Sequence, residues 1–99
     1  MAKYHLTKKA VQDLDAIWVY TLKTWSEEKA DEYYSSLVKT FTAIAKRPCH
    51  LDKEYVEIHP GLYRRSCHMH LVFYRLDENG DIEIVRILHE RMDIASKFK

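Results

Sequence analysis

The run Ile82-Glu83-Ile84-Val85-Arg86-Ile87-Leu88 constrains this chain more than any other stretch. It is the most apolar run present, and its β-branched residues suit a pleated, packed surface. Just before it stands Asn79-Gly80, the strongest short hairpin signal, with a second strand pattern from Met69 or His70 to Leu76 on its other side. The spacing therefore predicts an antiparallel hairpin at the centre of a small sheet. A dense polar cluster, His89, Glu90, Arg91 and Asp93, closes the run.

A two-residue loop at Asn79-Gly80 would pair Tyr74 with Val85, Val72 with Ile87 and His70 with His89. One face then carries Val72, Tyr74, Leu76, Val85 and Ile87, with Glu83 at the turn end. The other carries Leu71, Phe73, Ile82, Ile84 and Leu88, with Arg75 and Arg86 among them. Both faces are apolar, whereas an antiparallel sheet with one wet face alternates polar with apolar. A single helical hairpin covers one face, so the face bearing the arginines is expected to be left for a partner. A three-residue loop with a bulge would shift the register by one and swap these assignments.

Upstream, Lys3-Tyr4-His5-Leu6 reads as a short first strand. Thr7 sits where an N-cap would, with Leu6 and Val11 placed for a hydrophobic staple. From Lys8 to about Thr24 the residues Ala10, Leu14, Ile17, Trp18 and Leu22 recur at three and four, the period of one helical face. Ser26 caps a second helix whose first turn holds Glu27 and Glu28, and Pro48 stops it. So short a connection predicts an αα-hairpin. Trp18, Trp25, Tyr33, Tyr34 and Phe41 keep helical phase and are expected in the core; Tyr20 lies off that line and is expected to be exposed. Cys49 to Pro60 carries no clear pattern. A strand is expected from Leu62 through Cys67, and a helical turn or tail at 94–98.

At 99 residues and a formal charge of +1, one domain is expected and no global polyelectrolyte argument for nucleic acid exists. The distribution says more: every arginine except Arg47 follows Pro60, whereas most lysines fall in the helical half. Two cysteines are too few for a disulfide scaffold. No run approaches a membrane span and no signal-peptide pattern opens the chain, so a cytoplasmic protein is expected. Cys67, His68 and His70, with Cys49-His50, have no metal-ligand spacing, since neighbours on a strand point to opposite faces. No metal or cofactor is expected.

Several local patterns resemble the RelE/ParE superfamily of bacterial toxins, and its ParE branch in particular. They are Leu6-Thr7 followed by Ala10 and Asp13-Leu14, then Ile17 with Tyr20-Thr21, and Trp25 before a second helix. Pro60-Gly61, Phe73-Tyr74-Arg75 and Ile84-Val85-Arg86-Ile87-Leu88-His89 with Arg91-Met92-Asp93 complete the match. The resemblance covers nearly the whole chain. It implies an α+β fold: an N-terminal strand, a helical hairpin, then a three-stranded antiparallel sheet. It also implies the toxin of a type II toxin–antitoxin system that inhibits DNA gyrase. The implied partner is a ParD-like antitoxin, a ribbon-helix-helix dimer whose disordered tail wraps the toxin. Such a tail gains most where an apolar groove and directed cations already exist.

The residues expected to meet partners are Tyr20, Arg64, Arg75, Arg86, His89, Arg91, Met92 and Asp93. No catalytic residue, membrane contact or sequence-specific nucleic-acid contact is expected. The alternative is a RelE-like ribosome-dependent endoribonuclease, with His70, His89 or Tyr74 as acid or base and Arg64, Arg65 and Arg86 on phosphate. The lysine-rich active surface of RelE toxins has no counterpart in these strands. A further alternative is a non-toxic homologue that retains only antitoxin binding.

Overall fold

The computed structural model describes residues 3–49 and 52–98, so His50 lies outside the described residues. Thr7 caps α1 (Lys8–Thr24): its hydroxyl oxygen accepts from the Ala10 N–H at 3.1 Å. Ser26 does the same for α2 (Glu27–Lys46), accepting from the Lys29 N–H at 3.1 Å. The two helices fold back as a hairpin, as the short connection predicts. Leu6 packs into the core while Val11 stays exposed, so the core rather than a staple fixes the entry to α1.

The sheet has five strands in the order β1-β5-β4-β3-β2. The first strand, β1 (Tyr4–Leu6), runs parallel to β5 (Ile82–His89), which pairs antiparallel with β4 (His70–Leu76). Next come β3 (Tyr63–Cys67) and a short edge strand, β2 (Lys53–Glu54), both antiparallel to their neighbours. The sheet is thus mixed rather than purely antiparallel. A last helical turn, α3 (Ile94–Lys97), follows β5.

The two-residue hairpin register is corrected near the turn. Asp77 N–H donates to the Asp81 carbonyl at 2.8 Å, and the Asp77 carboxylate accepts from the N–H groups of Asn79 and Asp81. Gly80 takes φ +80°, which a side chain would disfavour. This wider turn pairs Leu76 with Ile82 and Tyr74 with Ile84. A bulge then leaves Val85 unpaired and restores Phe73 opposite Arg86, Val72 opposite Ile87 and His70 opposite His89. The Thr7 hydroxyl donates to the Val85 carbonyl at 2.8 Å, so the helix cap also satisfies the bulge.

The bulge sorts the core. Ile82 and Ile84 turn toward the helices, where they join Val72, Tyr74, Ile87, Leu37, Phe41 and Ile44. Val85 turns to the opposite face with Leu71, Phe73 and Leu88. That second face is not left for a partner. Leu62, Tyr55 and Ile58 from the β2–β3 connection, and Ile94 and Phe98 from the C-terminal turn, pack over it. The Phe98 and Phe73 rings meet edge to face at 5.1 Å. The pattern-poor 49–60 stretch and the supposed tail supply this second layer.

Candidate functional site

What remains open is the end of the helix-covered face. The halves of α1 and α2 nearest their connection overhang the last residues of the sheet and enclose a groove of about 1180 Å³. Asp13, Ala16, Ile17, Tyr20 and Thr24 form one wall, a single stripe of α1. Lys29, Glu32, Tyr33 and Ser36 form the other, a stripe of α2. His70, Ile87 and His89 make the floor, and Met69, Arg91 and Met92 the rim. Trp25 at the helix connection is 70% exposed, Tyr20 67% and Met69 54%. Large apolar side chains gathered around one concavity mark an interaction site.

The groove is held by polar contacts beneath it. Asp13 receives Arg86 through Nε at 2.7 Å and a terminal nitrogen at 2.9 Å, and accepts the Ile87 N–H at 3.0 Å. One carboxylate thus pins the α1 wall to the β5 edge beyond the reach of β1. A further Arg86 nitrogen donates to the Lys97 carbonyl at 3.2 Å. On the other wall, the Tyr33 hydroxyl meets His70 Nδ1 at 2.5 Å. Burial, with His89 beside it, pushes His70 down to about 4, so the ring is neutral at neutral pH. Burial likewise raises Tyr33. The His70 and His89 rings stand perpendicular at 5.3 Å.

Of the residues expected at a partner surface, Tyr20, His89, Arg91 and Met92 meet in this groove. The others do not join them. Arg86 is an internal ion pair, with its side chain and that of Asp13 only 16% and 14% exposed. Arg75 pairs with Glu83 at 2.6 Å near the hairpin turn. Arg64 lies 5.2 Å from the centre of the Tyr55 ring. Asp93 stands exposed before α3 without capping it through its side chain. Arg75 and Arg86 therefore do not share an open cationic face.

Sequence reasoning missed Trp25, Tyr33, Met69 and His70 as groove residues. Helical phase put the aromatic residues in the core, yet only Phe41 is fully buried; Trp25 and Tyr34 are exposed. The available signal was position: Trp25 ends one helix and Met69 sits in a tight turn, places where a large apolar side chain has little to pack on.

Of the acid–base residues named for the nuclease alternative, His70 and His89 meet on the groove floor, whereas Tyr74 does not join them. The Tyr74 hydroxyl is bonded to Asp52 and accepts the Cys49 N–H at 2.9 Å, away from the groove lining. Asp52 also holds Arg65 through two contacts of 2.9 Å. Arg65 and Arg86 are thus committed to internal carboxylates. Among the described residues no three metal-ligating side chains come together.

Comparison with known proteins agrees with this architecture. A family model described as the ParE toxin of the type II toxin–antitoxin system parDE matches residues 4–94. The chain is 33% identical over 93 residues to Toxin ParE1 of Mycobacterium tuberculosis, with 94% of each chain covered. It is 34% identical over 93 residues to Toxin ParE1 of Caulobacter vibrioides, again covering 94% of both. Its fold is similar to a solved chromosomal ParDE toxin–antitoxin system from P. aeruginosa, with a TM-score of 0.77 and 23% identity. That match covers 90% of this chain and 96% of the other.

Proposed function

The chain belongs to the ParE toxin family of type II toxin–antitoxin systems, and from that premise we propose that it acts by binding rather than by its own chemistry. A ParD-like antitoxin neutralises it by laying an apolar, disordered tail into the groove between the helical hairpin and the end of the sheet. Free of the antitoxin, the chain inhibits DNA gyrase and blocks replication. The carrying observation is the groove itself, an apolar concavity rimmed by exposed Tyr20, Trp25, Met69 and Met92. A segment that folds on binding must offset its ordering entropy with dense apolar anchors, and this surface supplies sites for them.

Binding is favoured over catalysis because two of the three guanidinium groups named for a ribonuclease's phosphate are paired inward, Arg86 on Asp13 and Arg65 on Asp52, and the third, Arg64, lies over the Tyr55 ring outside the groove lining. No helix among the described residues is long and apolar enough to cross a membrane.

Expression of the chain alone tests the reading. Filamentation with a DNA-damage response, relieved by co-expression of a neighbouring ribbon-helix-helix protein, is the expected result. Rapid loss of translated mRNA would instead establish the endoribonuclease alternative, and normal growth would leave a homologue that only binds antitoxin.

A further inference from the structure

The helical hairpin has a second surface that the groove does not use. On α1, Val11, Asp15, Trp18 and Leu22 recur at four, three and four. On α2, Glu27, Asp31, Tyr34 and Val38 repeat the same spacing. Val11, Trp18 and Leu22 each stand two residues from a groove residue of α1, and Tyr34 and Val38 stand two from Ser36. Two residues turn a helix by about 200°, so both stripes lie on the outer side of the hairpin, away from the groove.

The middle of this outer face is apolar. The Trp18 and Tyr34 rings meet edge to face at 6.3 Å across the two helices, and Val11, Leu22 and Tyr34 stay exposed. Its two ends carry opposite charge. Glu27 and Asp31 stand beside the helix connection, whereas Lys8 opens α1 and Lys46 closes α2 at the far end. All four are exposed, and none makes an ion pair among the described residues. A face with an apolar middle, one acidic end and one basic end is complementary to itself when turned end for end.

We infer that the outer face of the hairpin is a two-fold contact between copies of this chain, with the acidic end of each hairpin over the basic end of the other. A 17-residue helix is about 25 Å long, so two helices side by side offer a face of about 500 Å². Two such faces bury about 1,000 Å² together, the low end for specific association. Asp15, the one charge within the apolar stretch of α1, comes near its own copy across the axis and weakens the contact further. The dimer is therefore a weak one that exchanges with monomer. Because the groove lies on the other side of both helices, two grooves stay open, and the dimer stands or falls independently of the antitoxin reading.

Sedimentation equilibrium of the whole chain from about 5 to about 500 µM should show monomer and dimer exchanging with a Kd of about 10–100 µM. Leu22→Glu, at an exposed position, should weaken the dimer by about tenfold or more, while Met69→Glu in the groove should leave it within about twofold. A charge exchange tests the arrangement itself. A chain carrying Glu27→Lys with Asp31→Lys, and another carrying Lys8→Glu with Lys46→Glu, should each stay monomeric alone and pair with one another when mixed. A wild-type chain that is monomeric throughout, a dimer indifferent to Leu22→Glu, or exchanged chains with no preference for each other would overturn the contact. A monomeric chain whose Leu22→Glu variant loses antitoxin affinity would assign the face to the antitoxin instead, and would overturn it as well.

Discussion

Asp13 carries more of the site than any other single residue, because one carboxylate receives both Arg86 and the Ile87 N–H. Asp13→Ala would leave a largely buried guanidinium and a backbone donor without their acceptor, at a cost of about 3–5 kcal/mol. Arg86→Ala should cost less, since the remaining carboxylate keeps the Ile87 N–H. A double-mutant cycle by urea unfolding is expected to show coupling of about 1–3 kcal/mol between the two. Strict additivity would remove this ion pair from the account. From sequence alone, Arg86 looked like an exposed cation in an apolar run. Its acceptor lies more than seventy positions away on α1, a distance no local pattern spans.

His70 gives the chain a pH dependence of known sign. The unfolded ring takes up its proton near 6.5, the folded ring only near 4, because burial opposes the charge. Between those values the unfolded chain holds the extra proton, so stability is full above the ordinary histidine range and falls as pH drops through the window. Discounted for a half-buried ring, the loss is on the order of 1–2 kcal/mol. His70→Gln should flatten that part of the curve in urea melts taken from about pH 7 to about pH 4.5. An unchanged slope would show that the loss arises elsewhere.

Among the elements, those with local signals were legible and those made by distant pairing were not. Period and caps mark both helices, and Asn79-Gly80 marks the hairpin. β2 forms only because Lys53 and Glu54 find Arg64 and Tyr63, and nothing within the 49–60 stretch announces it. A register shifted by one with a bulge was offered only as the alternative to the two-residue turn, and nothing local placed that bulge at Val85, yet it decides which isoleucines face the helices. Its support is Thr7, whose side chain accepts from Ala10 and donates to Val85. Thr7→Ala therefore removes a helix cap and the partner of a bulged carbonyl, and should cost about 2 kcal/mol or slightly more. Thr7→Ser keeps both contacts and should recover most of the loss in thermal unfolding. A cost well under 1 kcal/mol would mean the bulge stands without its tie.

At the scale of the whole molecule, the apolar strand surface exceeds what two helices hide, as the sequence predicts, but the chain answers that excess itself. The β2–β3 connection and the C-terminal turn cover the second face, and the open groove lies instead at the end of the first. The candidate groove was half legible: Tyr20, His89, Arg91 and Met92 line it, whereas Arg64, Arg75, Arg86 and Asp93 lie outside its lining. Covering the second face with loops has a consequence for mutagenesis. Phe98→Ala should expose Phe73 and Leu88 and lower stability by about 2–3 kcal/mol without weakening antitoxin binding, since it lies across the sheet from the groove.

The central claim is that the groove between the hairpin and the end of the sheet is where the antitoxin seats, and affinity measured with paired substitutions tests it most directly. Trp25→Ala and Met69→Glu, titrated calorimetrically with the antitoxin, should each weaken binding by about tenfold or more, as expected for a large apolar anchor and for a charge set into its seat. Arg64→Ala and Arg75→Ala, outside the groove, should leave affinity within about twofold. The reverse pattern, with the groove variants binding as the wild-type chain does and the arginine variants failing, would contradict the account.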